Sequence, residues 1–185
     1  MVIDLVWFIG GIFNRPARKS QTRFPDCQPI MVSTTTSSPQ RVAQWLTLLG
    51  AIPFLALVAM LFIGDTAQKT QTEQTVQLLT TYAAVILSFL GGIQWGLGIA
   101  VSDTAPRSAI TLFFLSVVPS LLAWTMLFVS HPTSRILVAI FLFGFVWTID
   151  TLLNLQKLIP AWFYKLRSII SLIVIVTLGI AVAKI

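Results

Sequence analysis

The chain predicts an all-α fold, an integral membrane bundle of five transmembrane helices, on three observations. Hydrophobic residues make up 56% of it and charged residues only 10%, whereas a soluble domain carries roughly 25% charged residues. Five apolar segments, about 42–64, 76–101, 109–130, 136–155 and 168–183, approach the length of roughly 17–25 residues that crosses the hydrocarbon core. The connections between them are short and hold no soluble domain. Four spans are the fallback, because the last segment is long enough only if Lys184 snorkels and Ile185 counts.

Residues 1–41 are of a different kind. Val2–Phe13 is apolar but contains Asp4, is too short to span, and lacks the basic start and cleavage site of a signal peptide. Residues 14–41 are rich in Arg, Ser, Thr and Pro, a composition that predicts a disordered, basic N-terminal segment. Met31 is a candidate natural start, which would make residues 1–30 a non-native extension. A transit peptide is the rival reading. The lone Cys27 implies neither a disulfide nor a metal site.

Each of the remaining segments has its own signal. Val42–Gly64 is free of charge but contains Pro53, and Ala109–Ser130 contains Pro119. Each proline removes a backbone donor and predicts a kink within its helix. Val76–Val101 carries small residues four apart, Ala84, Ser88, Gly92, Gly96 and Ala100. That spacing predicts a helix-packing face, because lipid gives apolar side chains no hydrophobic reason to associate and small residues let backbones approach. Packing within the chain is expected there, with homodimerisation or a lipid as the other uses. Ile136–Leu155 carries the one acid within a span, Asp150. Pro160–Arg167 mixes Trp162, Phe163 and Tyr164 with Lys165 and Arg167, as expected of a segment lying among headgroups.

The blocks SFLGGIQWG (88–96), PSLLAW (119–124), a fourth helix ending with Asp150 and PAW-plus-LR (160–167) resemble the transmembrane protein 69-like family. This is a domain of unknown function in bacterial and mitochondrial membrane proteins. The resemblance covers about residues 42–183 and implies five membrane helices with no activity to carry over. It also implies a position often more basic than Gln94, so the neutral amide here argues against a charge-dependent role.

Orientation follows from the basic residues of the short connections. Arg15, Arg18, Lys19, Arg23, Arg41, Arg107, Lys157, Lys165 and Arg167 fall on one side, and only Lys69, Arg135 and Lys184 on the other. The expectation is an N-terminus in the cytoplasm and a bacterial inner membrane, with the mitochondrial inner membrane as the alternative. The net charge of +6 is thereby topology. Nucleic acid is not expected as a partner, since the basic residues are dispersed. Membrane lipids are expected, together with other membrane proteins or a second copy of the chain.

Polar residues within spans are the usual pointers to function. Gln94 and Asp150 lie at similar depth, Asn154 is one turn beyond Asp150 on the same face, and Arg107 and Arg167 come from nearby connections. These five residues form the candidate polar cluster, with Trp95 and Trp147 as its walls. No pattern predicts a catalytic residue, a cofactor or a metal site, and His131 has no second ligand beside it. The function expected is a structural or assembly component of the membrane, not an enzyme. The alternative is a small proton- or ion-coupled carrier or channel using Asp150.

Overall fold

The structure is a computed structural model that describes residues 38–63 and 69–185. The expectations for residues 1–37, including Cys27 and Met31, lie outside the described residues. Helix begins at Ser38, so the last residues of the segment expected to be disordered belong to the first membrane crossing. That crossing is two helices, α1 (Ser38–Leu49) and α2 (Ile52–Ile63). It is followed by α3 (Lys69–Val101), α4 (Pro106–Met126), α5 (Pro132–Leu155) and α6 (Ala161–Lys184). Among the described residues, five helical stretches are long and apolar enough to span a bilayer, with α1 and α2 counting as one. The chain is a multi-pass membrane protein with an all-α fold.

The helix ends follow local chemistry. Pro106 and Pro132 open α4 and α5, where the missing N–H costs nothing because the first turn leaves its donors unpaired anyway. At the end of α5 the N–H of Lys157 bonds the Asn154 carbonyl at 3.0 Å and that of Leu158 bonds the Leu153 carbonyl at 3.0 Å. This is a Schellman termination, and Lys157 takes the left-handed position usually given to glycine, at φ 57°. Proline at 160 precedes α6, which then runs unbroken to Lys184. The segment 161–167 is therefore the first part of the span, not a separate interfacial stretch, and the shortness of the fifth crossing disappears.

Pro53 does more than kink the first crossing. The helix breaks at Gly50–Ala51, leaving Pro53 in the first turn of α2. A break in hydrocarbon exposes carbonyls that no water can reach. Tyr82 of α3 answers this, its hydroxyl donating to the Gly50 carbonyl at 2.9 Å. Its ring also packs edge-on against Phe54, at 4.9 Å between centroids. Pro119, by contrast, stays inside a continuous α4 and is buried.

The helices α2, α3, α5 and α6 close a ring, each packed on its neighbours, and α4 lies outside it against α3 and α5. Phe54, Leu79, Leu87, Leu142, Phe143 and Leu178 fill the ring. A smaller apolar group, Leu112, Ile149 and Leu153, joins α4 to α5 near the end that bears the 102–105 and 156–160 connections. That end is called the Asp150 end below. Large side chains such as Phe89, Phe114, Leu121 and Leu172 point outward, as a lipid-facing surface requires.

The seam between α3 and α4 corrects the expected packing face. A Cβ added at Gly91 would lie 2.2 Å from the Ser116 carbonyl oxygen, and one at Gly98 would lie 2.9 Å from the Phe113 ring. At Gly92 and Gly96 an added Cβ meets nothing within 4 Å. Only Ala84 of the expected ladder is buried; Ser88, Gly92, Gly96 and Ala100 are exposed. The reason is helical geometry. At 3.6 residues per turn, each four-residue step advances about 40° around the axis, so a strict i+4 row winds off a face. Alternating steps of three and four hold one face, and Ala84, Leu87, Gly91, Gln94 and Gly98 do so, all buried.

Substitution separates the two glycine rows. Gly91→Ala is expected to lower unfolding stability in detergent by about 1–3 kcal/mol, since a carbonyl must move. Gly92→Ala in the monomer is expected to change it by no more than about 0.5 kcal/mol. Thermal or denaturant unfolding followed by circular dichroism measures both.

Candidate functional site

Three helices bring one polar residue each to a common depth. Gln94 lies seven residues before the end of α3, Asp150 five before the end of α5, and Arg167 six after the start of α6. At 1.5 Å per residue these positions are about 8–10 Å inside the Asp150 end. All three are buried, with exposures of 2% for Gln94, 2% for Asp150 and 6% for Arg167.

Arg167 and Asp150 form the ion pair that joins α6 to α5. Nε of Arg167 donates to Oδ2 of Asp150 at 2.7 Å, and Nη2 lies 2.7 Å from the same oxygen. The guanidinium thus grips one carboxylate oxygen from its side. Its carbon lies 5.6 Å from the Phe163 ring, one turn earlier on α6, so the flat cation also has an aromatic neighbour. The pair is neutral as a whole, which is how a charge is accommodated at this depth.

Gln94 completes the triad differently. Its amide approaches the Asp150 carboxylate, but neither Oε1 nor Nε2 meets hydrogen-bond geometry with any partner. Arg167 Nη1 is likewise buried without a hydrogen bond, whereas Nη2 has only its close ion-pair contact with Asp150. The triad therefore has strong charge pairing and spare hydrogen-bonding capacity at once.

The other expected members are placed elsewhere. Asn154 is half-buried, one turn nearer the Asp150 end. Arg107 is exposed in the first turn of α4 and is not part of the cluster. Its helix starts at Pro106, which seats position 107 at the rim. Trp95 and Trp147 are not walls of the cluster either. Both are substantially exposed, Trp95 resting on Phe113 with centroids 4.8 Å apart and Trp147 donating to the Ser168 hydroxyl at 3.1 Å. Adjacent positions on a helix lie about 100° apart, so burying Gln94 turns Trp95 outward. Two polar side chains near the pair were not expected: Ser171, buried one turn beyond Arg167, and half-buried Gln156 at the end of α5, whose Oε1 is buried without a partner. Among the described residues, no three His, Cys, Asp or Glu side chains come together as a metal site.

At the opposite end Arg135 closes a second polar contact. Its guanidinium donates to the Val129 carbonyl at 2.9 Å and 2.7 Å and to the Gln77 side chain. Lys184 lies 5.3 Å from the Phe62 ring at that end. Arg135 thereby satisfies a carbonyl left over where α4 stops.

The cost of breaking the ion pair measures its role. Asp150→Asn leaves the Arg167 charge buried and unbalanced, and is expected to cost about 3–5 kcal/mol. The apolar pair Asp150→Leu with Arg167→Met is expected to recover most of that loss, within about 1 kcal/mol of the parent or above it. Equilibrium unfolding in mixed micelles reads both.

Comparison with known proteins was informative about kinship and silent about activity. Residues 39–183 match the family described as Protein of unknown function (DUF3429). The chain is 34% identical to Transmembrane protein 69 of Xenopus tropicalis over 137 residues, covering 74% of this chain and 51% of that protein. It is 27% identical to Transmembrane protein 69 of Mus musculus over 160 residues, covering 86% of this chain and 62% of that protein. The chain thus spans only about half to three fifths of these relatives' length. No solved structure matches it significantly. With a match that runs through all five membrane crossings, the chain belongs to the DUF3429 family of transmembrane proteins, to which its Transmembrane protein 69-like blocks had pointed.

Proposed function

We propose that the protein is a structural or assembly component of its membrane, which binds another membrane protein or a second copy of itself through the outer face of α3. One observation carries this: Ser88, Gly92, Gly96 and Ala100 form an exposed row of small residues on a helix whose other outward positions are bulky, such as Val85, Phe89 and Ile99. A row four residues apart runs obliquely to the helix axis, along the ridge used in right-handed crossings of membrane helices. A groove of about 280 Å³ between α3 and α4, lined by Ala84, Ser88, Trp124 and Leu127 among others, continues the row. Lipid chains fill such a surface, but a second backbone gains closer contact there.

The alternative, a proton- or ion-coupled carrier using Asp150, has less support, because Arg167 already holds the carboxylate in a buried pair. Among the described residues the same engagement leaves no free acid deep in the bundle, so an enzyme is not part of the proposal. The bias of Arg107, Lys157 and Lys165 toward the Asp150 end supports a cytoplasmic N-terminus in an inner membrane.

Native mass spectrometry after extraction in mild detergent tests the assembly role. The parent chain is expected in a complex heavier than its own 20.4 kDa plus lipid. The variant Gly92→Leu with Gly96→Leu is expected to keep its helicity and melting behaviour and lose the complex. A parent that is only monomeric, or a variant that keeps the same complex, contradicts the proposal.

A further inference from the structure

We propose that Gln94, Arg167 and Gln156 line a narrow water-filled inlet from the Asp150 end of the bundle to the ion pair, with a bound water bridging the Gln94 amide and the Arg167 guanidinium. The inference is independent of the assembly role. It rests on four buried polar atoms without a hydrogen-bond partner, namely both amide atoms of Gln94, Nη1 of Arg167 and Oε1 of Gln156; Nη2 of Arg167 is engaged only by the Asp150 carboxylate. Groups left so in a dry interior cost free energy comparable to a lost hydrogen bond each.

The chemistry of the set selects the occupant. Arg167 offers only donors, Gln156 Oε1 only an acceptor, and Gln94 one of each kind of group. A cation would face the guanidinium, and an anion would face the Asp150 carboxylate and two amide oxygens. The ion pair is already neutral, so any ion would add an unbalanced charge. Water donates and accepts, carries no charge, and finds here the two to four polar partners that a buried water needs.

The position of the residues gives the route. Gln156 caps α5 at the start of the 156–160 connection, six residues beyond Asp150. Asn154, half-buried, lies between them in sequence. On the other side, Leu112, Ile149 and Leu153 pack α4 against α5 and close that approach. The inlet therefore follows the α5–α6 side, over a depth of about 8–10 Å, enough for a short file of waters. Its consequence is that the Asp150 carboxylate remains in contact with the aqueous phase although its residue is buried.

Water-edited solid-state NMR of the full chain in phosphatidylcholine vesicles tests this, with arginine and glutamine side chains labelled with ¹⁵N and leucine methyls with ¹³C. Magnetisation from water is expected to reach the Arg167 and Gln94 side chains nearly as fast as exposed Arg107, and at least roughly threefold faster than the buried methyls of Leu87 and Leu142. In Gln94→Leu, which keeps the ion pair, transfer to Arg167 is expected to fall severalfold while the Arg107 signal is unchanged. Transfer to Arg167 and Gln94 as slow as to Leu87 in the unsubstituted chain overturns the proposal. It would mean that the amide turns to bond the carboxylate directly and the site is dry.

Discussion

A charge inside the hydrocarbon region has to meet its opposite, and in this protein that requirement fixes how two of the five spans stand against each other. Asp150 on α5 and Arg167 on α6 are joined through a single carboxylate oxygen. Sliding either helix by one residue, about 1.5 Å, would separate a contact only 2.7 Å long. Apolar packing tolerates such slips, since one lipid-like side chain replaces another. The ion pair does not. It sets register, whereas the leucine and phenylalanine layers of the ring supply bulk.

The backbone contacts set the remaining helices. Gly91 and Gly98 let α4 lie directly on α3, which carries Gln94 on the same face and so brings the amide to the ion pair. Tyr82, also on α3, reaches the broken first crossing and takes up the Gly50 carbonyl. Thus α3 mediates three contacts of different physical kinds, with Tyr82 at one level and Gln94 and the glycine seam at another. Its outward row from Ser88 to Ala100 is free of such duties within the chain, and that freedom is what makes it available to something else in the membrane.

Much of this was legible in the sequence, for physical reasons. The membrane class and the five spans follow from composition and segment length, which the bilayer dictates directly. Asp150 and Gln94 stood out because polar groups in lipid are expensive. Their shared depth followed from counting residues to the helix ends. The face of α3 was misread because four-residue spacing was treated as one face over sixteen residues, although it winds through about 160°. The alternation from Ala84 to Gly98 was the better signal. Arg107 was misplaced because Pro106 starts α4 earlier than its apolar stretch suggests. Arg167 was taken for a connection residue because its neighbours are aromatic and basic, a composition that suits both an interface and the first turns of a span. The break at Gly50 depends on a hydroxyl supplied from another helix, which no local pattern announces.

The ion pair as the determinant of register is tested most directly by exchanging its charges in the full chain in membranes. Asp150→Arg alone and Arg167→Asp alone each place two like charges in the bundle, and each is expected to prevent accumulation of folded protein. The double exchange, Asp150→Arg with Arg167→Asp, is expected to restore accumulation and a cooperative unfolding transition. If either single exchange folds as well as the parent, the helices are registered by apolar packing and the pair is incidental.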